Sequence, residues 1–172
     1  MRVIGIDPGA SGAIVLLRDE PNAIVIERCI DMPTFTVRVG RANKSRVSAA
    51  GLAAALRGMF ADAVVCEEVH AMPGQGVSSM FAFGEALGII KGACAGLGLP
   101  LHLVAPQEWQ RATRTRGGKD GARARASELY PTEAHLFARV KDDGRADAAL
   151  IATYALIEGF GRQRAITVKD LL

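Results

Sequence analysis

Residues 2–17 read Arg-Val-Ile-Gly-Ile-Asp-Pro-Gly-Ala-Ser-Gly-Ala-Ile-Val-Leu-Leu. The apolar run 2–6 predicts a strand, Asp7 to Gly12 a sharp turn, and Ala13–Leu17 a second strand. Ala23–Ile30 adds a third with partial alternation. Short turns join these three, so they should pair as an antiparallel meander. Further on, 33–46 reads as irregular and basic, and 48 to about 60 as a helix with Leu52, Leu56 and Met59 on one face. Ala63–Cys66 reads as a short apolar strand of the kind covered on both faces. His70–Gly76 is expected to be a loop, Val77–Leu97 a long helix, Pro100–Val104 a strand, and Pro106 the start of a short helix. Asp143–Gly159 reads as a closing amphipathic helix. This order predicts an α/β fold with one mixed sheet and helices on both faces, in a domain over 1–160 followed by a tail, 161–172.

Composition points the same way. The chain has 172 residues, 49% of them hydrophobic but only 5% aromatic, with 19 glycines. One layered α/β domain with its own core fits, and disorder as the main state does not. The formal charge of +3 leans weakly toward an anionic partner. The N-terminal strand reaches Asp7 too soon for a signal peptide, and no stretch approaches the ~20 uninterrupted apolar residues of a membrane span. The richest stretch, 77–98, is broken by Glu85 and Lys91. A cytoplasmic protein with no membrane partner is expected. Cys29, Cys66 and Cys94 lack CxxC spacing and read as reduced, buried thiols.

The carboxylates carry the chemistry. The first strand runs into Asp7 and the fourth into Glu67 and Glu68. Alternation lets only one of these two glutamates face a given side. An acid at the end of an apolar strand is costly if buried and unpaired, but favourable at a sheet's edge beside a cation. Asp143 and Asp147 are four apart, on one face of the last helix, where their mutual repulsion would become a gain with a divalent cation between them. Such hard oxygen donors suit Mg²⁺ or Mn²⁺, not zinc. The set fits phosphodiester hydrolysis assisted by a pair of ions.

Three stretches resemble the RuvC-type Holliday-junction resolvases of the ribonuclease H-like nuclease superfamily. They are Val-Ile-Gly-Ile-Asp7-Pro-Gly, Val-Cys-Glu67-Glu-Val and Asp-Gly-Arg-Ala-Asp147-Ala-Ala-Leu. Met-Pro-Gly-Gln-Gly-Val-Ser-Ser-Met-Phe (72–81), Trp109 before a basic segment, and Tyr130-Pro131 are similar to the phage and prophage branch. The likeness runs in order over roughly 2–157. It implies a ribonuclease H-like fold, with a five-stranded mixed sheet of three antiparallel strands and then parallel ones. It implies Asp7, Glu67 and Asp147 as catalytic metal ligands. Many family members carry Asp or His three residues before the final Asp. That position is Gly144 here, so Asp143 stands in as the fourth ligand, with Asp142 the weaker option.

The resemblance further implies a homodimeric DNA endonuclease that needs no small-molecule cofactor. It would resolve four-way junctions in recombination and repair by paired symmetric nicks leaving 5′-phosphate and 3′-hydroxyl ends. The setting would be a bacterial or phage-infected cell. His70 matches the place of an aromatic that can wedge into opened bases. The long helix, implied to form the dimer contact, carries Gly84, Gly88, Gly92 and Gly96 on one face. Four such glycines ask for a close partner, either a second copy or the chain's own sheet. Arg38, Arg41, Lys44 and Arg46 form one basic cluster, and Arg111, Arg114, Arg116, Lys119, Arg123 and Arg125 another. Both suit DNA phosphates. Phe81 and Phe83 read as packing residues and Trp109 as a core anchor.

Three other classes share some of these features. An RNA or RNA–DNA hybrid nuclease of the same fold would use the same metal site. An actin- or sugar-kinase-like phosphotransferase also opens with a strand, an Asp and a Gly turn, but needs two domains and leaves Asp143 and Asp147 unexplained. A catalytically silent junction-binding protein would not need the acids.

Overall fold

A computed structural model describes residues 1–40, 42–70, 74 and 76–161. Arg41 of the first basic cluster and residues 162–172 of the expected tail lie outside the described residues. The strands are β1 (Arg2–Ile6), β2 (Ala13–Asp19), β3 (Ile24–Asp31), β4 (Thr34–Val39), β5 (Ala42–Val47), β6 (Ala63–Glu67) and β7 (Leu101–Val104). The helices are α1 (Ala49–Arg57), α2 (Val77–Leu97), α3 (Pro106–Ala112), α4 (Gly118–Leu129) and α5 (Asp143–Glu158). The 3₁₀ turns Pro131–Phe137 and Val140–Asp142 lie between α4 and α5.

The main sheet has the expected mixture, in the order β3-β2-β1-β6-β7. β1 pairs antiparallel with β2 and parallel with β6, and β6 pairs parallel with β7. Alternation sorts the central strands onto two cores. Val3, Val15, Leu17 and Val65 pack under α5 with Trp109 and Phe137. Ile4, Ile6, Ile14, Leu16, Val64 and Cys66 pack under α1 and α2, where Leu52, Leu56 and Met59 lie as their spacing predicts. Ser48 caps α1 by accepting from the Gly51 N–H at 3.1 Å. Of the three thiols, which are all free, Cys66 and Cys94 are buried and Cys29 only partly so.

The region expected to be irregular, 33–46, is instead the hairpin β4–β5, with Thr34 opposite Val47 and Val39 opposite Ala42. Its charges hide an alternation of Phe35, Val37 and Val39 that favours extended backbone. Directly opposed residues share a face, so Val37, Lys44 and Arg46 alternate with the side that carries Arg38 and Asn43. Arg46 reaches Glu85 of α2 at 3.3 Å, and the Lys44 ammonium lies 3.5 Å from the Ser78 hydroxyl. These contacts lean the hairpin on α2.

α2 differs from expectation in two ways. By length and composition it could cross a membrane, with a mean hydropathy of 1.4 over its most apolar window. One face, Ala86, Ile90 and Cys94, is nevertheless packed on the sheet. On the opposite face, a Cβ added at Gly84, Gly88, Gly92 or Gly96 would meet nothing within 4 Å. The chain's own sheet is therefore not the partner of the glycine row. Phe81, 72% exposed, continues that open face toward the helix start, contrary to its reading as a packing residue.

Candidate active site

The site begins with a close approach of strand to helix. Gly5 of β1 lies directly under α5, where an added Cβ would sit 2.1 Å from the Ala148 carbonyl oxygen and 2.5 Å from the Ala152 nitrogen. That fixes α5 across the C-terminal ends of β1 and β6. The Asp7 N–H carries on the ladder to the Ala13 carbonyl at 3.1 Å before the chain turns. In the parallel pair Gly5 stands opposite Val65 and Ile6 opposite Cys66. The next step brings Asp7 level with Glu67. Val65 belongs to the core under α5 and Cys66 to the opposite core. Glu67 therefore shares the α5 side with Asp7, whereas Glu68 projects to the other side and lies 3.4 Å from His70. His70 itself is largely exposed, at the start of the loop after β6.

Each acid has a distinct environment. The Trp109 indole N–H donates to a Glu67 carboxylate oxygen at 2.9 Å. Burial pushes the Glu67 carboxyl above its usual range, and the indole bond offsets part of that. Trp109 was expected only as a core anchor; its N–H orients a candidate ligand 42 residues away in sequence. Asp147, on α5, lines a cavity of about 210 Å³ with Gln110, Thr115, Arg116, Gly117 and Gly118. Asp143 pairs with Arg123, which also pairs with Asp120.

Gly144, three residues before Asp147, leaves no room for a side chain. An added Cβ there would lie 2.6 Å from the Ser11 carbonyl oxygen and 2.7 Å from Gly12 Cα. The first turn of α5 thus presses backbone to backbone on the turn that follows Asp7, and Asp143 and Asp147 flank that contact.

Asp142 has another task. It is buried, with its side chain 2% exposed. It accepts from the Arg139 guanidinium at 2.8 Å and from the Arg139 N–H at 2.9 Å. Arg145 lies 3.7 Å from it and grips Asp31, at the end of β3, through a fork of 2.6 and 2.8 Å. This network ties the start of α5 to the sheet. The Arg139 hydrogen bond holds the Asp142 carboxyl below the usual carboxylate range, and the Arg145 hydrogen bond does the same for Asp31. Depressed carboxylates contribute stability that is present above the unfolded value and lost as pH falls through the folded one. Acid unfolding should therefore set in below about pH 4. Arg145→Ala should move the acid midpoint upward in a circular-dichroism titration, with little change in the pH 9 baseline.

The basic residues divide. Arg38, Lys44, Arg111, Arg114 and Arg116 are exposed. Arg123 is held by its two carboxylates. Arg125 donates to the Thr113 carbonyl at 2.8 Å and to Glu128 at 2.9 Å, so it braces α4 against the loop before it. Lys119 lies in the first turn of α4. A cavity of about 420 Å³ opens between the Gly9–Ser11 turn, Lys44–Val47 and α2, with Phe83 in its wall. Phe83, expected to be a packing residue, therefore borders open space.

Asp7, Glu67 and Asp147 are oxygen donors with no thiol among them, which is the chemistry of a Mg²⁺- or Mn²⁺-type site. The donor set fits such an ion. Among the described residues, however, no group of three or more Asp, Glu, His or Cys side chains has converged far enough to hold one. Glu67 is engaged by Trp109 and Asp143 by Arg123.

No family model matches the chain. Crossover junction endodeoxyribonuclease RuvC of Chloroflexus aurantiacus is 28% identical over 154 residues, which cover 88% of this chain and 90% of that protein. The chain is homologous to the RuvC-type Holliday junction resolvases. The chloroplastic Holliday junction resolvase MOC1 of Chlamydomonas reinhardtii is 32% identical over 114 residues, 59% of this chain; the chain spans only 12% of that longer relative. Among solved structures, RuvC of T. thermophilus in complex with Holliday junction substrate superposes with a TM-score of 0.65 at 17% identity, covering 93% of this chain and 98% of that one. The fowlpox virus Holliday junction resolvase gives 0.56 at 15% identity, covering 92% and 99%. The fold of this RuvC homologue is therefore that of the ribonuclease H-like resolvases, over nearly its whole length.

Proposed function

We propose that this RuvC homologue is a divalent-metal-dependent endodeoxyribonuclease that resolves four-way DNA junctions. The observation that carries the reading is the level placement of Asp7 and Glu67 on the side of the sheet covered by α5, the helix of Asp147. It occurs in a chain collinear with RuvC over 154 residues. Asp7, Glu67, Asp147 and Asp143 would hold the metal, as a pair of ions. When bound, the ions would activate water and stabilise the charge of the leaving oxygen, giving 5′-phosphate and 3′-hydroxyl ends. The protein's own part is positioning. Trp109 keeps Glu67 aimed, and the contact of Gly144 with the Ser11–Gly12 backbone keeps α5 against the Asp7 turn.

The DNA path follows the exposed cations. Arg111, Arg114 and Arg116 would border the acids on one side. Lys44 and Arg38, on opposite faces of the β4–β5 hairpin, would meet phosphates on the other. Such contacts position DNA without reading bases. His70 is exposed where a ring would stack on an unpaired base. Arg123 and Arg125 contribute through their internal pairs before any contact with phosphate.

The decisive experiment incubates the protein with labelled four-way junction, duplex and RNA–DNA hybrid, with Mg²⁺ or Mn²⁺ and with chelator. Paired symmetric nicks in the junction alone, abolished by chelator, are expected. Cleavage of the hybrid alone would transfer the reading to an RNA-directed nuclease, and cleavage of nothing would end it.

A homodimer is part of this proposal. The open glycine face of α2 supports it, because four glycines on an apolar helix gain nothing from facing water but let a second helix approach closely. Gly88→Leu should halve the solution mass measured by light scattering and leave the circular-dichroism spectrum intact. A well-folded dimer of the variant would refute the α2 contact.

A further inference from the structure

Asp143 reaches the end of the sheet already engaged. Arg123 of α4 donates to its carboxylate, and the same guanidinium pairs with Asp120 and lies 3.3 Å from the Val140 carbonyl. The Arg123 side chain is 14% exposed and that of Asp143 19%, so water screens the pair poorly. Asp120, 89% exposed, is the outer partner. Arginine does not lose its proton, so this pair separates only when the side chain moves. A guanidinium and a divalent cation are alternative neutralisers of one carboxylate.

We infer that Arg123 is a positioning residue that withholds Asp143 from the ion site until a DNA phosphate draws its guanidinium away. Asp143 then joins the site with substrate present. This rests on the metal-site reading proposed above. Three observations carry it. Arg123 engages Asp143 with both side chains largely buried, so the hold is internal to the fold. Arg123 follows Ala122, which lines the Asp147 cavity together with the exposed Arg116, so a phosphate arriving there meets this segment of α4. Phosphate and carboxylate are also both two-point partners for a guanidinium, so the exchange replaces like with like. Asp120 gives the side chain an intermediate hold at the surface.

The test is Mn²⁺ binding by the full chain without DNA, followed by the loss of the free-ion paramagnetic resonance signal. Arg123→Gln should bind Mn²⁺ about tenfold tighter than the wild type. Adding Asp143→Asn to that variant should remove the gain. Asp120→Asn, a surface change that leaves Asp143 as the guanidinium's single carboxylate partner, should weaken binding, and it keeps the test open if Arg123→Gln does not fold. Asp7→Asn should abolish binding in every background. If the wild type binds Mn²⁺ through Asp7 but Arg123→Gln binds no tighter and Asp120→Asn no weaker, this inference falls and the metal site stands. If no form binds Mn²⁺ and no junction is cut, both fall.

Discussion

Asp7→Asn should abolish junction cleavage while leaving junction binding intact. The substitution preserves size and keeps an oxygen that can accept the Gly9 N–H, which lies 3.4 Å from an Asp7 carboxylate oxygen. What it removes is the negative charge at the one acid carried by the turn after β1. Metal assistance contributes several kcal/mol of transition-state stabilisation, so a fall of about 10³-fold in the single-turnover rate is expected. Affinity rests on cations elsewhere and should follow salt in the same way in both proteins. Gel-shift and cleavage assays on one labelled junction check both halves. Loss of binding with retained cleavage would show that Asp7 is not part of the metal site. Glu67→Gln should behave alike, because the amide oxygen can still accept from Trp109.

Gly5→Ala should be severely destabilising for a single added methyl. The added Cβ would meet α5 backbone at 2.1 and 2.5 Å and the Ala152 side chain at 2.9 Å. None of these is the end of a flexible side chain, so relief requires sliding α5 off the sheet. Overpacking of this kind costs about 3 kcal/mol, which for a domain of this size is a fall of about 10 °C in Tm. Because α5 also carries Asp143 and Asp147, activity should fall even below the new Tm. Differential scanning calorimetry and cleavage at a temperature where the variant is folded check the two effects separately. A variant as stable and active as the wild type would show that α5 does not depend on this contact.

Much of this site can be read from residues close together in the chain. The strand ending in Asp7, the strand ending in two glutamates and the i, i+4 spacing of Asp143 and Asp147 are local patterns, and local geometry is enough to interpret them. The choice between Glu67 and Glu68 was half legible. Alternation says they face opposite sides, but which side matters depends on where α5 packs. The hairpin of β4 and β5 escaped because its charges outweighed its alternation in a reading by composition. The glycine row of α2 called for a close partner, but nothing in its spacing could say that the chain itself would leave that face open.

The fold class and the candidate acids follow from the order of apolar runs and from what stands at their ends, since burial and alternation act over a few residues. The environments of those acids do not. Trp109 reaches Glu67 across 42 residues, Arg123 reaches Asp143 across 20, and Arg145 reaches Asp31 across 114. Each pair exists because helices packed on a sheet bring distant side chains together, and Coulomb and hydrogen-bond terms depend on distance in space. Hence the chain order is enough to nominate Asp143 as a ligand, whereas its engagement by Arg123 is a consequence of α4 docking beside α5.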